Sequence, residues 1–124
     1  MARRFVLLVA CLMCQNVAAI AGEADVVKVD IEARALGIYD FTVTVSHGDT
    51  GWDHYVDRWE IVDDDDIVLG TRILLHPHIN ERPFMRSLTG VEIPEHSNKV
   101  TVRAHDSVHG FGGKVVTVDL TGRK

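Results

Sequence analysis

The chain has 124 residues, a formal net charge of −5 at pH 7, and seven histidines but two cysteines. That length suits one domain with a two-layer core and leaves no room for a second. An acidic chain without a basic patch argues against nucleic acid or anionic lipid as partner.

Arg3 and Arg4, the apolar run from Phe5 to Cys14 and the small-residue stretch Ala19-Ile20-Ala21 read as a secretory signal peptide. Cleavage is expected before Gly22, so residues 1–21 are a leader and 22–124 a single domain. The apolar run is too short to span a bilayer as a permanent helix. The mature chain is therefore expected to be secreted or periplasmic, without stable membrane insertion. Loss of Arg3 and Arg4 takes the charge from −5 to −7. Leu8-Val9-Ala10-Cys11 also resembles a lipoprotein box, the second choice, which would anchor the protein at a lipidated Cys11. Under the favoured cut Cys11 and Cys14 are both lost, so the domain has neither disulfide nor thiolate.

From Val26 onward, alternation and β-branched residues dominate, predicting an all-β domain. Val27, Val29 and Ile31 mark a first strand, and Ala35-Leu36-Gly37 a turn. Tyr39, Phe41, Val43 and Val45 form one face of a second strand ending at Ser46-His47. An Asp- and Gly-rich loop from Gly48 to about Tyr55 leads into a third strand, Val56 to Val62, on which Trp59 is the expected core tryptophan. Asp63 to Asp66 lack the alternating spacing of a calcium loop and read as a solvated turn. A fourth strand, Ile67 to Leu75, stops at His76-Pro77-His78, because proline cannot donate to a ladder. Residues 84–93, Lys99 to Ala104 and Val115 to Leu120 complete seven strands, with His105 to Gly113 as a glycine-rich loop.

Seven short strands at about ten-residue spacing predict an immunoglobulin-like antiparallel sandwich. If successive strands alternate in direction, the loops after strands two, four and six share one end. They carry His47 and His54, His76 and His78, and His105 and His109, whereas His96 falls at the other end. Neutral imidazole is the commonest ligand for zinc, copper and iron, so this end is a candidate metal site. His76 and His78 project to one side of an extended backbone, a workable chelating pair. His105-Asp106-Ser107-Val108-His109 offers two imidazoles and a carboxylate, with Asp106 as the expected carboxylate ligand and His105 as a ligand or its support. Asp53 or Asp57 is positioned to fix a ligating tautomer. Trp52 and Tyr55 are candidates to shield the site. Ser107 lacks a nucleophile-elbow context. Arg82 and Arg86, beside Glu81, read as surface pairing near the same end, able to attract a small anion.

His47, then His54-Tyr55-Val56 and Trp59-Glu60-Ile61-Val62, together with Asp106-Ser107-Val108-His109-Gly110, resemble the iron-binding domain of superoxide reductases and desulfoferrodoxins. The resemblance covers about half of the expected mature chain. It implies an immunoglobulin-like sandwich with metal at the loop end, and His47, His54 and His109 as ligands. Asp106 stands where that family has its cysteine thiolate, and an early histidine ligand has no counterpart near Val26 to Ile31. His76 or His78 would supply it. A carboxylate is a harder donor than a thiolate, so the family's reductase chemistry does not transfer with the fold.

The expected function is an exported metal-binding protein using iron, Cu(II) or zinc, as carrier, buffer or diverged redox protein. The competing expectation is a metal-free module that grips a protein, peptide or glycan with Trp52, Tyr55 and Phe111. A third is an enzyme that activates oxygen species at the metal.

Overall fold

A computed structural model of the chain describes residues 22–122. The leader assignment, with Cys11 and Cys14, lies outside the described residues. Seven strands form: β1 (Asp25–Ala35), β2 (Ile38–Ser46), β3 (Val56–Val62), β4 (Val68–Ile73), β5 (Phe84–Glu92), β6 (Lys99–Asp106) and β7 (Val116–Asp119). The one consequential difference from the expected boundaries is at β6. It continues through His105 and Asp106, which therefore follow strand parity rather than loop geometry. Among the described residues, no helix is long and apolar enough to cross a membrane.

The strands form two antiparallel sheets, ordered β1-β2-β5 and β4-β3-β6-β7. This is the immunoglobulin-like sandwich expected from the strand spacing. Its fourth strand pairs with β3, instead of joining the first two strands as in constant-type domains. The core fills the space between the sheets with Phe41, Val43 and Val45 from one side and Trp59, Ile61, Val100 and Val102 from the other, all essentially inaccessible to water. Each such side chain contributes roughly 1.5–3 kcal/mol on burial.

Two-residue periodicity also positions the polar groups. Inward positions of β2 run Tyr39, Phe41, Val43, Val45, and the next in step is His47. Inward positions of β6 run Val100, Val102, Ala104, and the next is Asp106. Each sheet thus ends one core-facing column on a group able to bind a metal, and the two columns face each other.

Candidate metal centre

His47 is 1% exposed and Asp106 fully buried at the loop end of the sandwich. His54, half-buried in the loop between β2 and β3, completes a group in which one ligand atom from each residue lies within 4.8 Å of the others. Asp106 Oδ2 is the meeting point. It lies 2.5 Å from His47 Nε2 and 2.6 Å from His54 Nε2. The His54 loop is fixed by backbone bonds between Thr50 and His54 and between His54 and Gly51. Tyr55 N–H donates to Ser107 Oγ, tying that loop to the one after β6.

Asp106 is held as a carboxylate by its own turn. Its Oδ1 accepts the N–H groups of Val108 at 2.7 Å and His109 at 3.1 Å. Burial pushes the pKa of Asp106 up, but these bonds, His54 and the charge of His47 bring it below the ordinary aspartate value.

His47 is gripped from its other side by Asp49, which is equally buried. Asp49 Oδ1 accepts the Nδ1–H of His47 and the N–H of Val56, and Oδ2 accepts the N–H of His78 at 2.7 Å. Burial raises the Asp49 pKa, but His47 and the two backbone donors outweigh it and hold the carboxyl below its usual range. Asp49 is then an acceptor only, so Nδ1 carries the hydrogen and Nε2 faces Asp106.

That arrangement has a sharp electrostatic consequence. A neutral His47 with its proton on Nδ1 aims the Nε2 lone pair at an ionised carboxylate. The contact is 2.5 Å long, so the neutral form sets a lone pair against a carboxylate at ion-pair distance. A cation at Nε2 removes the conflict. When the cation is a proton, His47 becomes an imidazolium between two carboxylates. Burial opposes that state, but the bond to Asp49 and the charges of Asp106 and Asp49 raise the His47 pKa above its ordinary value. A metal ion would satisfy the same electrostatics with three donors at once, so the residues present fit one.

The remaining expected site residues stand elsewhere. His109 is exposed, its ring edge-on to that of His54 with centroids 5.1 Å apart, beside the triad but outside it. His105, one residue from Asp106, emerges on the opposite face of the sheet. There its Nδ1 lies 2.6 Å from Asp57, and its ring meets Phe111. Strand parity separates it from the triad, and Asp57 serves this exposed-face network instead of a ligating histidine. His78 is buried but stacks on Phe84 at 4.3 Å, with exposed His76 against its ring at 4.8 Å. That pair adjoins the far side of Asp49 and does not join the triad. Asp53 is exposed, and Trp52 is 67% exposed and edge-on to Tyr55, so neither covers the centre. Asp49 was missed by sequence reasoning. The available signal was its place two residues beyond His47, the position that continues the core-facing column of β2.

The chain is 42% identical over 97 residues, 78% of its length, to a protein of Halomicrobium mukohataei named "Putative lipoprotein". The aligned region is 47% of that relative, so the chain spans about half the length of the curated protein it matches. No family model matches the chain, and no solved structure matches it.

Proposed function

We propose that the chain is an extracytoplasmic metal-binding domain holding one transition-metal ion between His47 Nε2, His54 Nε2 and Asp106 Oδ2. The observation that carries the reading is the convergence of two imidazole nitrogens, that of His47 fully buried, on one shared carboxylate oxygen of Asp106. Two imidazoles and one carboxylate suit Fe(II), Zn(II) or Cu(II), and the lack of a thiolate among the described residues disfavours Cu(I). His109, on the solvent side of His54, is the candidate fourth donor. A metal held by three protein donors keeps positions open, which suits Lewis-acid or one-electron chemistry when it is bound.

The resemblance of these segments to superoxide reductases supports a diverged redox protein or metal carrier, with Asp106 replacing the thiolate. The lipoprotein relative supports an extracytoplasmic location, with Cys11 as the anchor of a tethered form. Metal analysis of protein purified without an affinity tag tests the reading. The expected result is one equivalent per chain, lost in His47→Ala and Asp106→Asn but retained in His105→Ala. Absence of stoichiometric metal, with thermal stability unmoved by chelator, would leave the metal-free binding module. That second reading rests on Trp52, exposed at the same end.

A further inference from the structure

A second site lies in the open seam of the sandwich. β4 and β5 are edge strands of different sheets. Residues directly paired in an antiparallel ladder share a face. Arg72 is paired with Trp59 and Arg86 with Val43, two core residues, so both arginines point inward between the sheets. With Leu74, His76 and His78 they line one cavity of about 330 Å³.

The seam thus gathers two guanidinium groups along one lining. Arg86 is paired with Glu81 through two bonds of 3.2 Å, and its Nη1 also donates to Met85 O at 2.7 Å. Arg72 has no ion-pair partner among the described residues, and its Nε is buried without an acceptor. The adjoining His78, 5% exposed, also has a buried Nδ1 without a hydrogen-bond partner, 3.9 Å from Asp49 Oδ2. Burial, then the charges of Arg86 and His76, push the His78 pKa down against the opposing carboxylates of Asp49 and Glu81. A buried N–H without an acceptor bears its full desolvation cost, and a guanidinium edge matches an oxyanion through paired hydrogen bonds.

We propose that the seam between β4 and β5 binds a small tetrahedral oxyanion, free phosphate or the phosphate of an ester, between Arg72 and Arg86 and beside His76 and His78. The cavity lies within the range of small-ligand pockets. No residue of the metal triad lines it, so this site does not depend on the metal reading.

The test is a titration of chelator-treated protein with inorganic phosphate, in parallel with glycerol phosphate and with chloride at equal ionic strength. The Arg72 and Arg86 Nε–H resonances are followed by NMR in isotope-labelled protein. The expected result is a saturable displacement of both resonances and a rise in Tm with phosphate but not chloride. Arg72→Gln should weaken the affinity about tenfold or more. Tighter binding of glycerol phosphate than of phosphate would assign the site to an ester, and the reverse to the free ion. An equal response to chloride, no saturation, or undiminished affinity in Arg72→Gln would overturn the proposal. If Arg72→Gln does not fold, the wild-type resonances decide alone. Arg72 would then only guard an edge strand, as inward charges do, if Arg72→Leu associates while phosphate leaves the wild-type resonances unmoved.

Discussion

Asp49 shows how one carboxylate determines what a histidine can do. By accepting Nδ1–H it commits His47 to presenting Nε2, and by accepting two backbone N–H groups it fixes the loop that follows β2. Asp49→Asn is expected to weaken metal binding about 10–100-fold, as loss of a ligand-orienting partner does, measured by competition with a chromophoric chelator. Asp49→Ala leaves the buried Val56 and His78 N–H groups unpaired and should cost about 1–3 kcal/mol for each in urea unfolding. The same residues set the pH response of the metal-free protein. The raised His47 pKa contributes stability that is complete below the unfolded value of 6.5 and lost as pH rises through the folded value. The lowered pKa values of Asp49 and Asp106 contribute stability that is complete above 3.8 and lost as pH falls through theirs. His78, whose pKa is lowered, acts the other way and loses stability as pH falls below 6.5, so the urea midpoint of chelated protein should be highest near 6.5. A midpoint still rising beyond pH 8 would contradict this assignment of charges.

At the scale of elements, parity decides membership of the site. Extending β6 by two residues places Asp106 inside and His105 outside, so neighbouring residues serve unrelated networks. On the outer face Phe111 lies between Arg103 at 4.3 Å and Arg58 at 5.3 Å, and both arginines approach acids on β3. His105→Ala should leave metal content intact while loosening this cover. The loop after β6 is also clamped to the start of β1. Val26 N–H donates to Lys114 O at 2.8 Å, and Lys114 N–H to Asp25 Oδ1 at 2.7 Å. A Cβ at Gly113 would fall 1.8 Å from the carbonyl oxygen of Ala24, a backbone atom that cannot turn aside. Gly113→Ala should therefore destabilise the fold by about 1–3 kcal/mol or more, read as a lower urea midpoint, and speed amide exchange at Val26.

For the whole molecule, the loop end holds buried charge that the apolar core does not stabilise. Phe41, Trp59 and their neighbours stabilise the sandwich, whereas His47, Asp49 and Asp106 are held by one another and, under the proposed function, by a metal ion. Metal should therefore stabilise the whole fold. At a free concentration 100 times its Kd it adds about 2.7 kcal/mol, seen as a Tm that falls on adding chelator and returns with zinc or iron. His47→Ala should abolish that dependence. A variant whose Tm still responded to chelator would place the ion elsewhere.

The order of strands and turns was legible in the chain because side-chain alternation and turn residues are local properties. Val56 to Val62 reads as a strand from its own composition, and Tyr39 to Val45 as a one-sided face. Reversal of direction from strand to strand is nearly as local, and it brought six histidines to one end of the molecule. Selection among them was not local. His105 and Asp106 differ by one step of a pleat whose extent depends on pairing with β3, and Asp49 acquires its role only where His47, Val56 and His78 close around it. Arg72 and Arg86 turn inward because β4 pairs with β3 and β5 with β2, leaving an open seam between two sheets. Periodicity determined which residues line a face, while hydrogen bonding between strands far apart in the chain determined which of those faces meet.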